Sequence, residues 1–234
     1  MRSWVVRLSV RHLHGPKKIA YGKHELVVLC LVRNAQTYIE SFVEHYLKLG
    51  AKHIVFLDNG SEDDTVLIAR RYERVTVLRA KLPFKYYRNE LKKYLVSRFG
   101  KGRWSLYVDQ DELFDYPYSD AVSLKSLLGY LNEHRYTTVV TQLLDMFADR
   151  PLSNQTGRKG GSLKERYRFY DISAIRERDY KQAHSSHKSN VVTNDNIKVL
   201  KGGIRKILFS SGANLTKHSL TFLGDGEQTS PGIG

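Results

Sequence analysis

Leu26-Val27-Val28-Leu29-Cys30-Leu31-Val32 runs seven apolar residues without a break and stops at Arg33-Asn34. Seven residues are too few to cross a bilayer and too uniformly apolar for a strand with one wet face, so the run reads as a strand covered on both faces in a parallel sheet. Downstream, Ile39, Phe42, Val43, Tyr46, Leu47 and Leu49 recur at helical spacing, with Thr37 as the expected N-cap and Gly50 as the left-handed stop. His53 to Leu57 then reads as a second buried strand, running into the turn cluster Asp58-Asn59-Gly60-Ser61. Asp63-Asp64-Thr65 opens a second helix, predicted through about Tyr72, and Val75 to Leu78 makes a third strand. Two βα units in succession require crossover connections and predict an α/β domain with a mostly parallel sheet flanked by helices.

The pattern continues on both sides. Leu91, Tyr94, Leu95 and Phe99 mark a helix, and Trp104 to Val108 a strand ending in Asp109-Gln110-Asp111-Glu112. Ser123 opens a further helix, and Thr137 to Leu144 is β-prone. Upstream, Trp4, Val6, Leu8 and Val10 alternate with Val5, Arg7, Ser9 and Arg11, the period of a half-buried strand. Beyond Asp145 the chain changes character: Asn154 to Ser162 reads as a loop, Asn190 to Thr193 and Lys206 to Ser210 as short strands, and the tail from Gly224 lacks an apolar period. The expected organisation is a basic strand and loop over 1–23, a ligand-binding core over 24–150, and a basic extension over 151–234.

Lys and Arg number 38 against 24 Asp and Glu in 234 residues, a formal charge of +14, yet hydrophobic residues make up 41%. That much apolar material excludes a disordered polycation, so the charge sits on a folded body. The single cysteine, Cys30, excludes an internal disulfide framework and a Cys-based zinc site, and fits a reducing compartment. The first 24 residues carry six Lys/Arg and no acid but no apolar block of a signal peptide, so a cytoplasmic protein without a membrane span is expected. The charge suits phosphorylated ligands or peripheral association with an anionic membrane. Nucleic acid is not an expected partner, because no RRM, zinc-finger or homeodomain pattern accompanies it.

The chemistry concentrates in three loops that follow strands. Asp109 and Asp111 splay just past the carboxyl end of a buried strand, where open α/β sheets place ligands. As oxygen donors they suit a hard divalent ion, Mg²⁺ or Mn²⁺, bridged to a diphosphate. Asp58 can accept from the N–H of a uracil-like base, Gly60 lets the backbone turn, and Ser61 offers a hydroxyl. Arg33-Asn34 closes the first strand.

Taken in order and spacing, these motifs resemble the nucleotide-sugar-dependent glycosyltransferases of GT-A fold, in the family-2-like group whose loops read Arg-Asn-Glu, Asp-Asn-Gly-Ser-x-Asp-x-Thr and Asp-x-Asp-Glu. Here the first loop is Arg33-Asn34-Ala35, with Ala in place of the acid; Ser41 to Gly50 matches the helix that follows, and Asp109 to Glu112 the third motif. The likeness is good over about residues 24–148. It implies transfer of a sugar from a nucleoside-diphosphate donor to a saccharide or glycoconjugate acceptor. It places Asp58 on the base, Arg33, Asn34 and Asn89 along the donor, Asp109 and Asp111 on a Mn²⁺ or Mg²⁺ ion, and a late histidine, for which His218 is chosen over His184 and His187, in the metal shell. A single displacement also needs a general base. Asp145, flanked by Leu144 and Met146, is the choice, with Glu112 second. Two other readings remain open: a nucleotidyltransferase, which would want a glycine-rich phosphate loop where Arg33-Asn34-Ala35-Gln36 has no glycine, and a non-catalytic basic module binding nucleic acid or anionic lipid.

Overall fold

The computed structural model describes residues 2–149, 162–179, 197–208 and 214–224, apart from the side chains of 218 and 219. The first apolar run is strand β2 (Leu26–Val32), buried at every residue. It follows helix α1 (Arg2–Ser9) and strand β1 (Arg11–His14). After it come α2 (Ile39–Leu49), β3 (His53–Asp58), α3 (Thr65–Ala69), β4 (Val75–Arg79), α4 (Phe84–Phe99), β5 (Trp104–Asp109), α5 (Leu124–Glu133) and β6 (Thr138–Gln142). Then follow β7 (Met146–Phe147), α6 (Leu163–Arg166), β8 (Phe169–Tyr170), β9 (Arg176–Asp179), β10 (Lys198–Lys201), α7 (Ile204–Leu208) and β11 (Thr216–Phe222).

The central sheet has the order β1-β4-β3-β2-β5-β11-β6. The β4-β3-β2-β5 core is parallel, and β1 and β11 join it antiparallel. The chain steps outward from β2 to β3 to β4, then returns past β2 to lay down β5. The strand order therefore reverses between β2 and β5, and the crevice at the carboxyl ends there is where such sheets bind ligands. In register, Val32 lies beside Asp58, Leu31 beside Asp109 and Asp58 beside Arg79, so the four strands end together.

By contacts the described residues divide into one unit of 2–138 and 220–224 and another that falls within 139–219. In the first, Val27, Leu29, Val55, Leu57, Leu78, Leu91, Leu95 and Tyr107 pack one apolar cluster. Gly50 ends α2 at φ 104°, a left-handed turn in which its N–H bonds back to Leu47 O. Ser123 caps α5 by accepting from Ser126 N–H. In the second unit, β9 and β10 form an antiparallel pair, β7 and β8 another, and Ser162 with Glu165 closes a capping box on α6.

Two strand assignments are corrected. Residues 2–9 are helix: only Val6 of the alternating set is buried there, at 1% exposure, while Trp4 is 68% and Leu8 82% exposed, so no strand face is covered. Residues 204–208 are likewise helical, although Lys206 to Ser210 carries a β-prone run. The N-cap of α2 is Tyr38 rather than Thr37. Asn190 to Thr193, His184, His187 and the tail beyond Gly224 lie outside the described residues.

A buried hydrogen-bond chain ties the segment after β1 to the sheet. The Thr76 hydroxyl donates to Pro16 O at 3.0 Å and so must accept from His53 Nε2, 2.9 Å away. Burial, with a smaller contribution from Arg74, lowers the His53 pKa from 6.5 to about 4, keeping the imidazole neutral. The unfolded chain takes up a proton there that the folded chain refuses, so this contribution to stability is complete above about pH 6.5 and is lost as pH falls toward about 4. Urea unfolding across that window should show the decline, and His53→Gln should flatten it; an unchanged slope would exclude His53 as its source.

Candidate active site

The loops that follow β2, β3 and β5 meet at the carboxyl edge of the sheet, and their own backbone N–H groups fasten them. Asn34 N–H donates to Ser61 Oγ at 2.9 Å, and Asn34 Oδ1 accepts from Glu62 N–H at 2.9 Å. Ala35 N–H donates to Thr65 Oγ1 (2.6 Å) and Gln36 N–H to Asp63 Oδ2 (3.0 Å), while Gln36 Oε1 accepts from Asp64 N–H (3.2 Å). Across the crevice, Arg33 N–H donates to Gln110 Oε1 at 3.1 Å. Asn34 holds φ at 51°, a left-handed turn that asparagine tolerates better than most residues. Burial alone would raise the Asp63 carboxyl, but bonds from Thr65 and from Gln36 outweigh it and lower the pKa.

Asp58 sits at the centre of the second loop and is fully buried. Its Oδ1 accepts from Ser61 N–H (3.0 Å), and its Oδ2 from Gly60 N–H (3.2 Å) and Arg79 Nε (2.6 Å). Gly60 takes φ 85°, which lets both N–H groups turn onto one carboxylate. Both oxygens are thus engaged within the protein. The neighbouring Asn59 is buried too: its Nδ2 donates to Ala80 O and Leu82 O, at 2.6 and 3.0 Å, and its Oδ1 has no hydrogen-bond partner among the described residues.

The third loop is held from below by α2. The Tyr46 hydroxyl donates to Glu112 O and accepts from Phe114 N–H, both at 2.9 Å, and His45 Nε2 lies 2.8 Å from Phe114 O. Burial pushes the Tyr46 pKa well up, so the hydroxyl keeps its proton. Glu112 turns back on its own loop, Oε2 accepting from Asp109 N–H at 2.9 Å while Glu112 N–H donates to Asp109 O at 3.0 Å. Asp109 is half-buried and Asp111 exposed. Two steps back along β5, Tyr107 is buried with Lys92 Nζ 4.6 Å from its ring centre. Its hydroxyl pKa is raised chiefly by burial; Asp109 raises it further and Arg88 opposes, which puts both charges within electrostatic reach of that hydroxyl.

Arg33, Asn34, Asp58, Ser61, Asp109 and Asp111 are therefore gathered at one edge. Asn89 is exposed on α4, where it lines a cavity of about 380 Å³ with Arg2, Phe84, Lys85, Tyr86, Arg88 and Glu90. Asp145 belongs to the second unit. Its neighbours Leu144 and Met146 are 51% and 43% exposed, so they do not enclose it; Arg205 does, through Nε to Oδ2 at 2.5 Å and Nη2 to Oδ1 at 2.8 Å. His218 lies in β11, and its side chain falls outside the described residues. Among the described residues, no group of three or more His, Cys, Asp or Glu side chains stands ready to hold a metal ion.

The model of glycosyl transferase family 2 matches residues 27–192, most of the chain. The chain belongs to that family. Its central α/β sheet is correspondingly of GT-A, Rossmann-like type. Solved structures similar to this family 2 chain include TarS of S. aureus, at 17% identity over 60% of this chain and 23% of that one, with a TM-score of 0.39. Another is a 4-diphosphocytidyl-2C-methyl-D-erythritol synthase, at 9% identity over 59% of this chain and 68% of that one, with a TM-score of 0.34. The chain thus spans about a quarter of the length of TarS. No curated protein matches it.

Gln110, Arg79 and Tyr46 escaped the reading of the sequence. Arg79 carried a usable signal: once β3 and β4 are parallel neighbours, their terminal Asp58 and Arg79 fall side by side. Removing the charge by Asp58→Asn leaves Arg79 without its buried counter-ion and weakens two loop bonds, so a loss of about 3 kcal/mol of stability is expected, measurable by urea unfolding.

Proposed function

We propose that this chain transfers a sugar from a nucleoside-diphosphate donor to a hydroxyl acceptor, with the donor seated across the β2–β5 crevice. The observation that carries the reading is the convergence of three loops on one sheet edge, with Asp109 and Asp111 held there on a turn braced by Tyr46 and Gln110. Family membership supports it.

The donor set fits a hard divalent ion. Two carboxylates, one half-buried and one exposed, are the sparse protein ligation Mg²⁺ accepts when substrate phosphates and water complete its shell. Asp109 and Asp111 would hold that ion, Mn²⁺ or Mg²⁺, with His218 as a third candidate. When bound, it would supply positive charge to the diphosphate as it leaves. The protein's own contribution is positional. Arg33 and Asn34 line the crevice, and their loop is stiffened through Ser61 and Glu62. Lys85 and Arg88 provide positive field toward a leaving diphosphate, which favours the transition state more than the bound donor because charge grows as the bond breaks.

For the base, Asp58 remains the candidate, acting through the loop it secures by its bonds to Gly60 and Ser61. Asn89 remains a candidate donor contact. Asp145 remains the candidate general base for an inverting displacement. Arg205 fixes the orientation of its carboxylate through two hydrogen bonds. The proposed acceptor is a saccharide or glycoconjugate, and the proposed role is in surface polysaccharide or glycoconjugate synthesis.

Calorimetric titration with UDP, GDP and CDP, with and without Mn²⁺, tests the reading. At least one nucleotide should bind tenfold or more tightly with the metal, and Asp109→Ala and Asp111→Ala should each remove that gain without lowering the melting temperature. Binding indifferent to metal and to both substitutions would overturn it. For Asp145, the Asn variant should retain donor binding and lose about 100-fold or more in kcat; near-normal turnover would exclude it.

A further inference from the structure

Helix α1 is amphipathic in an unusual sense: its buried side is narrow and its outer side is apolar. Val6 alone plugs into the core, joining the cluster that contains Leu91 and Leu95 of α4. One helical turn apart on the outer side, Trp4 and Leu8 stand 68% and 82% exposed, with Arg7 beside them at the i, i+3 position. Arg2 donates to Tyr86 O at 3.4 Å, which joins α1 to the first turns of α4. There α4 exposes apolar groups of its own, Phe84 and Tyr86 at 46% and 56%, with Lys85 Nζ 5.8 Å from the Tyr86 ring centre. Water is a poor solvent for an indole, a leucine and a phenyl ring held out together. The surrounding guanidinium and ammonium groups are a poor match for an apolar protein interface, whose centre excludes charge.

We infer that the outer face of α1, with the start of α4, is a docking surface for an anionic lipid bilayer. Charge complementarity selects that occupant. Arg2 and Arg7 on α1 and Lys85 on α4 are exposed on the same two helices as these apolar groups, on a chain whose formal charge is +14, and a bilayer bearing anionic headgroups offers negative phosphates outside and hydrocarbon within, in that order of depth. Trp4 suits the boundary, since its ring is apolar and its N–H wants a polar partner. Lysine and arginine stems lie along apolar surface while their heads stay wet. Because α4 begins two residues after Leu82, whose carbonyl accepts from Asn59, the α4 part of this surface flanks the carboxyl edge of the sheet. The inference stands independently of the sugar-transfer reading, since docking needs neither donor nor metal.

The molecule carries its own reporter. It has two tryptophans, and Trp104 is fully buried, so a change in indole emission on binding belongs to Trp4. Added to the full chain, vesicles of phosphatidylcholine with phosphatidylglycerol should shift emission to the blue, protect it from acrylamide and carry the protein into the pellet; pure phosphatidylcholine should do none of these. The Trp4→Ser, Leu8→Ser double variant should lose more than tenfold in partitioning, and Arg7→Glu about fivefold or more, with the salt sensitivity reduced in the latter. All three side chains are exposed, and thermal melts of both variants confirm that the fold is kept; should the double variant melt early, Arg7→Glu alone decides. An unmoved Trp4 spectrum with the anionic vesicles would overturn the inference. So would parental partitioning of a folded variant, or equally tight binding to soluble heparin or duplex DNA with no change in emission, which would mark a general polyanion surface.

Discussion

A carboxylate taken wholly out of water must find donors for its oxygens, and Asp58 finds three: two loop N–H groups and the guanidinium of Arg79. The rest of the edge depends on that arrangement. With Gly60 and Ser61 folded onto Asp58, the Ser61 hydroxyl is placed to receive Asn34 N–H, and the Glu62 N–H to reach Asn34 Oδ1. The loop after β2 is thereby set, and from it Arg33 N–H reaches Gln110 beside the two aspartates. One buried charge at the end of β3 organises groups on both neighbouring strands. Its pair with Arg79 also joins the ends of β3 and β4, where the parallel ladder would otherwise fray.

Strand and turn positions were largely readable from residue pattern, and the reason is physical. A strand buried on both faces admits only apolar residues, so β2 shows itself as an unbroken run, and β3, β4 and β5 nearly so. Gly50 and Ser123 mark helix ends because each satisfies orphan backbone groups locally. Helix α1 was misread because its alternating residues satisfy a strand's period while the outcome depends on where one side chain, Val6, finds a cavity. Helix α7 was misread because a short apolar run carries no period of its own.

The candidate site divides in the same way. That Asp109, Asp111, Asp58 and Asn34 would share an edge followed from strand order, since each lies at the carboxyl end of a parallel strand. What each atom does there did not follow. The use of both Asp58 oxygens, the bracing of the third loop by Tyr46 from 66 residues away, and the pairing of Asp145 with Arg205 across 60 residues are contacts between distant segments. Local chemistry gives no sign of them. The Asp145 case is the most instructive, because apolar neighbours in sequence need not enclose a side chain: Leu144 and Met146 both stand exposed, and the group against Asp145 is Arg205.

The interlocking of the loops after β2 and β3 makes their residues interdependent. Asn34 meets Ser61 and Glu62, and Gln36 meets Asp63 and Asp64, in each case through a side chain on one loop and a backbone group on the other, with reciprocal bonds in both directions. Neither loop can change its shape without stranding donors on its neighbour, and energies of such contacts do not add. Substitutions are then coupled pairwise: the cost of a replacement at Asn34 or Gln36 depends on which residue stands at 61 or 63. The two loops act as one mechanical unit, although 27 residues separate Asn34 from Ser61 along the chain.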